Sequence, residues 1–316
     1  MNARAAAAIR RQVLRGIALN RQPGFHFPGN FLELAFEPRR SPRRCVSLEP
    51  GPHCVEPDGQ TSIAAVAIAA DLALAACVRA QLHAAARLAT VSMHLQFTGA
   101  PRRGRLLAEG RFEGFLHGTG ARQGLARALL ASDGRTIAYG TGAFMTLSAP
   151  PGVALHPVVA RRGRAAPPVS EDRLEPGESR ILRRADAALA RRGATTSFTD
   201  RFWGFEPKRC TGGARCAMPN GPHAGNRVGH TQGGILLGLA ACTASAALPA
   251  SWLLSALSAS FIGPGEGRTL NAVATITHRG GQTAVVRTEI RTADGRPVLA
   301  AMTTHAQYDR IDAQTI

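Results

Sequence analysis

Lysine is all but missing from this 316-residue chain: Lys208 is the only one, so nearly all of the 38 basic residues are arginine. With 21 acidic residues the formal net charge is +17, yet the arginines are scattered in ones and twos rather than gathered into a patch. Aromatic side chains are scarce at 5%, which argues against a base-stacking nucleic-acid platform. No nucleic-acid partner is expected, and the positive field suits a small phosphorylated ligand. Long apolar runs are missing too. The longest, residues 63–78, falls short of a membrane span and carries Asp71 in its middle. The amphipathic stretch 3–19 is punctuated by arginine and lacks the apolar core of a secretory signal. A cytoplasmic location without membrane contact is expected.

Six cysteines are present, with no C-x-x-C pair among them. Cys210, Cys216, His223 and His230 could be drawn as a zinc set, but structural zinc motifs pair their ligands more closely. No metal is expected, and the cysteines are read as reduced thiols.

What is present is a repeat. Phe36-Glu37-Pro38 returns as Phe205-Glu206-Pro207, and Gly51-Pro52-His53 as Gly221-Pro222-His223. Phe97 then matches Phe261, and Asp133-Gly134 matches Asp294-Gly295. The order holds while the spacing drifts, as expected of a tandem duplication. Residues 1–148 form the expected first unit with its N-terminal helix. Residues 149–177 read as a Pro- and Arg-rich linker, and 178–316 as the second unit with a leading helix.

Each unit reads alike. An amphipathic helix (4–20; 178–191) leads into an irregular or extended stretch rich in Gly and Pro. Next comes a helix (61–82; 233–248) that is apolar on nearly every face and must therefore be buried all round. Three or four strand-like segments follow in each unit: 88–98, 104–115, 122–131 and 136–147, then 252–262, 268–278, 283–292 and 297–308. Asp-Gly pairs at 133–134 and 294–295 mark hairpins. A buried helix followed by an antiparallel meander is satisfied if the sheet curls around the helix. The fold class is thus α+β, and the architecture a double hotdog.

The segment Asn226-Arg-Val-Gly-His-Thr-Gln232-Gly233-Gly234, with the helix that follows it, resembles the His-Gly-Gly-x-x-x-x-Leu-x-Asp signature of PaaI-type acyl-CoA thioesterases. The first unit resembles it more faintly, through Ser62-Ile63-Ala64 to Asp71 and then Thr90 to Phe97. In that family the site lies between two hotdog units, one giving a helix N-terminus and the other a carboxylate. The chemistry suits a thioester: free amides at a helix start stabilise an oxyanion, and a carboxylate serves as base or nucleophile.

The halves depart from that pattern in complementary ways. In the second unit the family's His is Gln232 and its Asp is Ala241; in the first the Asp survives as Asp71, while the glycines are lost. The resemblance puts a polar helper at Thr90 in the first unit and Leu254 in the second, and an Asn at Asn226 opposite Glu56. One complete site is therefore expected per chain, from Asp71, Thr90, Asn226, Gln232, Gly233 and Gly234. The reciprocal site would lack its carboxylate.

Arg102, Arg103 and Arg279, near predicted strand ends, are the candidates for the CoA phosphates. His26-Phe-Pro-Gly29 resembles a loop of hotdog dehydratases, but the expected acid fourteen residues on is Arg40, so the segment reads as a strand lead-in. His230, beside the glycines but off the motif position, reads as a core or capping residue. The expected activity is hydrolysis of an acyl-CoA thioester with no cofactor beyond the CoA of the substrate, in a chain that forms a homodimer. The alternative is a non-catalytic acyl-CoA-binding or regulatory hotdog protein.

Overall fold

The computed structural model of the chain describes residues 3–37, 43–82, 86–118, 120, 122–148, 166–191 and 196–308. Its amphipathic start forms α1 (Ala3–Asn20), which buries Ile9, Val13 and Ile17. A short helix, α2 (Phe27–Phe31), and two strands, β1 (Ala35–Glu37) and β2 (Arg43–Leu48), occupy the stretch expected to be irregular or extended; the helix is the departure. The apolar run becomes α3 (Ile63–Arg79), begun by Ser62, whose hydroxyl accepts from the Ala65 amide. The meander follows as β3 (Arg87–Phe97), β4 (Leu106–Phe115), β5 (Gln123–Ser132) and β6 (Arg135–Leu147). Asp133 and Gly134 both take positive φ, 45° and 79°, as a tight hairpin turn requires.

The second unit repeats the order. It comprises α4 (Pro176–Ala190), α5 (Phe198–Trp203), β7 (Lys208–Cys210), β8 (Gly213–Pro219) and α6 (Gly233–Ala247). β9 (Trp252–Phe261), β10 (Thr269–Arg279), β11 (Thr283–Thr292) and β12 (Pro297–Gln307) complete it. α4 begins inside the stretch read as linker, because Pro176 suits the first helical position and Glu175 and Glu178 form a capping box. Residues 149–165 of that linker lie outside the described residues.

The strands form one antiparallel sheet in the order β1-β2-β4-β5-β6-β3-β9-β12-β11-β10-β8-β7. The two units meet along β3 and β9, where Ser92 pairs with Ser260 and Gln96 with Ala256. The fold is the double hotdog, with α3 and α6 side by side in the core. Their approach is close because glycine permits it. A Cβ on Gly234 would stand 2.4 Å from Ile68 Cα, and one on Gly238 would stand 2.8 Å from Ala64 Cβ. No helix among the described residues is long and apolar enough to cross a membrane.

Candidate active site

Both central helices are entered through the same loop. Bridges join Val55 to Thr61 and Gly225 to Thr231. The Ser62 amide donates to Cys54 O and the Gln232 amide to Ala224 O, each at 2.9 Å. Ser62 and Gln232 thus hold equivalent capping positions, but the longer glutamine does two things. Its Oε1 accepts from the Ile235 amide at 3.1 Å, and its Nε2 donates to Asp71 Oδ2 at 2.7 Å across the helix pair. The capping bond and the carboxylate together fix which end of the amide faces which partner.

Asp71 sits halfway along α3, 6% exposed. Its other oxygen, Oδ1, accepts from Thr90 Oγ1 at 3.0 Å. The pairing of β3 with β6 shifts register between Thr90 and Ser92, the kind of irregularity that re-aims a side chain. Burial pushes the Asp71 carboxyl up to about 6, against the two hydrogen bonds, which favour its ionised form.

The two glycines divide the work. Gly233 faces the carboxylate: an added Cβ would be 3.2 Å from Asp71 Oδ2. Its amide, at the N-terminus of α6, has no acceptor within the described residues, and the residue lines a cavity. Gly234 does not line that cavity; its lack of a side chain serves the helix crossing. Asn226 lines the cavity, but its Oδ1 accepts from the Val228 and His230 amides and so shapes the loop.

The cavity encloses about 540 Å³ and draws its walls from both units, Asp71, Thr90, Gln232 and Gly233 among them. His26 lines it too, which sequence reasoning missed. Far from a strand lead-in, His26 caps α2, its Nδ1 accepting from the Gly29 amide at 3.1 Å. Burial first, and the Arg227 charge second, push it down to about 3, so the ring is neutral. His230 is neither core nor cap: it lines the cavity, with Nε2 3.0 Å from Glu266 Oε1 and Nδ1 3.5 Å from Arg87 Nη2.

Arg102, Arg103 and Arg279 do not reach this cavity. Arg102 Nε donates to Thr61 O and Arg103 Nη2 to Asp58 O, which ties down the loop before α3. Arg279 lies over the Trp252 ring. The arginines that line the cavity are Arg79, Arg87 and Arg227. Cys210, Cys216, His223 and His230 are not drawn together, and no cluster of three or more His, Cys, Asp or Glu able to hold a metal occurs among the described residues.

The reciprocal position has a different content. Ala241 and Leu254 stand where a carboxylate and its helper would be, and Ala241 is buried. Burial and the Asp200 charge push the Glu56 carboxyl up to about 8. Asp200, on α5, is likewise raised, chiefly by burial. A hydrogen bond links the two side chains.

Residues 222–306 match the family described as "Acyl-CoA thioesterase N-terminal domain". No curated protein sequence matches the chain. Among solved structures, the tesB protein of Mycobacterium avium subsp. paratuberculosis is 15% identical with a TM-score of 0.50, covering 87% of this chain and 96% of that one. A hot dog fold protein of unknown function from Alicyclobacillus acidocaldarius is 12% identical with a TM-score of 0.52, covering 88% and 96%. A provisionally named thioesterase from Novosphingobium aromaticivorans is 18% identical with a TM-score of 0.52, covering 88% and 98%. The chain is therefore a double hotdog whose second unit carries the sequence pattern of the acyl-CoA thioesterase family.

Proposed function

We propose that this protein hydrolyses acyl-CoA thioesters at one composite site, with Asp71 as general base. The observation that carries the reading is the carboxylate of one unit held by Thr90 and, across the helix pair, by Gln232 of the other, beside the open amide of Gly233. The family match of residues 222–306 supports the substrate class. PaaI-type membership belongs to the proposal rather than to the match.

The thioester carbonyl lies against the Gly233 amide, and a water stands against Asp71. As the water oxygen bonds to the carbonyl carbon, Asp71 takes its proton and the amide stabilises the developing oxyanion. Collapse breaks the carbon–sulfur bond. The departing thiolate, of a thiol with a pKa near about 8.5, takes the proton back from Asp71, releasing free acid and CoA. No atom in this sequence requires a cofactor or metal. Thr90 and Gln232 keep the carboxylate oriented throughout. Two such chains pairing as a homodimer is also part of the proposal; light scattering should give a mass near twice 33.2 kDa.

The test is thiol release from a panel of acyl-CoAs by the wild type and by Asp71→Asn. Hydrolysis abolished by the substitution supports the reading. Saturable binding without turnover in the wild type would replace it with an acyl-CoA carrier or sensor. A single turnover in ¹⁸O-labelled water in which label enters the protein would assign Asp71 as a nucleophile, through an anhydride that water opens at the Asp71 carbonyl, and would overturn the general-base role.

A further inference from the structure

The cavity is more basic than hydrolysis alone calls for. Among the described residues, Asp71 is the only acidic one in its lining, against Arg79, Arg87 and Arg227. Ala75 and Arg79 follow Asp71 at four-residue steps along α3, so all three share one face. The cavity thus runs along the helix from the carboxylate to a guanidinium. Arg79 Nη1 donates to Ala86 O, just ahead of β3, at 2.6 Å. Arg87, at the start of β3, approaches His230 at 3.5 Å. Neither arginine forms an ion pair with a carboxylate among the described residues. Arg227 brings its charge from the loop before α6, near enough to push Arg79 down, after burial, to about 10. Like charges held together in a partly dry wall leave a place for an anion.

We propose that Arg79, Arg87 and Arg227 form an oxyanion-binding subsite at the far end of the cavity from Asp71, and that it takes a negatively charged group of the substrate. The inference rests on the thioesterase reading for the identity of that substrate. Two groups have the required chemistry: a phosphate of CoA, or a carboxylate at the distal end of the acyl group. A second, neighbouring cavity of about 620 Å³ shares Phe25, His26, Asn226 and Arg227 with the first and adds Asn20, Gln22 and Asn220. It offers room for whichever part of the substrate Arg79 does not hold.

Binding is measured in the Asp71→Asn protein, where turnover is slowed about 10²–10⁴-fold, by calorimetric titration with CoA, butyryl-CoA and glutaryl-CoA. Arg79→Gln and Arg87→Gln are introduced separately, so that loss of the Arg79–Ala86 bond does not decide the result, and thermal melts verify folding. A charge-assisted hydrogen bond lost from such a site should weaken binding about tenfold or more. Equal weakening for all three ligands assigns the subsite to a CoA phosphate. Tighter binding of glutaryl-CoA than butyryl-CoA that disappears in the arginine variants assigns it to an acyl carboxylate. Dissociation constants within about twofold of the parent for every ligand, or no binding of any, overturn the subsite. Hydrolysis by the wild type is scored separately: an inactive protein whose CoA binding needs Arg79 keeps the subsite and loses the thioesterase.

Discussion

A carboxylic acid held at about 6 by burial is poised to exchange protons near neutrality, and this sets the behaviour of Asp71. As a base it must be ionised, so kcat/KM should rise through about pH 6 and level off above it. A pH–rate profile that is flat from 5 to 8 would remove Asp71 from the rate law. Asp71→Asn should cost about 10²–10⁴-fold in kcat, the range for a general base. The same substitution should stabilise the fold. Because the folded pKa lies above the ordinary value of 3.8, the native state binds more protons between about pH 4 and 6. Stability is therefore lost as pH rises through that window. Asn escapes this loss, since the Thr90 hydroxyl can turn to accept from its amide. The variant should melt higher than wild type at pH 8 and close to it at pH 4. The burial of a carboxylate at Asp71 was legible in the sequence as the lone acid in an apolar helix. The place of His26 in the cavity wall was not legible: its setting, Phe25 to Phe31, holds a single helical turn, too short to show a period. Arg79 left a fainter trace, since it recurs two helical turns after Asp71 and could have been placed on the same face.

At the scale of the helix, the paired glycines separate by experiment. Gly234→Ala drives a methyl into the backbone of α3 at Ile68, where neither helix can move without disturbing a packed core. It should lower stability by about 1–3 kcal/mol, as overpacking does, read as a fall in denaturation midpoint. Gly233→Ala meets Asp71 Oδ2 at 3.2 Å instead. It should leave the midpoint nearly unchanged and depress kcat by crowding the water and the oxyanion. If both variants lose stability alike, the division of labour is wrong. The long elements were readable because a helix apolar all round and strands closed by Asp-Gly turns leave unmistakable patterns. Short strands β1 and β7, three residues each, have no alternation to detect. The arginines assigned to phosphate fall outside the cavity wall for a related reason. Nearness to a strand end says nothing about which face of the sheet a side chain joins, and Arg102 turned to the loop backbone.

Across the whole molecule, the two-fold relation of the units is kept in the backbone and broken in the side chains. Equivalent loops enter α3 and α6, yet only one crossing joins a carboxylate to a glutamine. A non-hydrolysable acyl-CoA analogue should therefore saturate at one per chain; two equivalent sites would contradict the asymmetry. The reciprocal position has its own signature. Glu56, held up near about 8 beside Asp200, keeps its proton in the fold across pH values at which an unfolded chain would release it. Stability should thus decline as pH climbs from about 5 toward 8, in part through this pair. Glu56→Gln should flatten the decline in a series of melts. An unchanged slope would leave Glu56 outside the pH response. The order of the units is also notable: the matching family pattern describes an N-terminal domain, whereas here it lies in the second unit. A site assembled across a two-fold axis is indifferent to which half comes first.

The seam between β3 and β9 joins into one chain what two identical hotdog subunits could build by association. In such a symmetric pair every substitution is made twice, so a change that improves one site is imposed on the other. Once the halves are covalently joined, each position varies alone. Ala241 could replace an acid, and Leu254 a hydroxyl, without harm to Asp71 and Thr90, because those pairs no longer share a codon. On the proposed reading, the molecule has exchanged a second site for twice the freedom to refine the first.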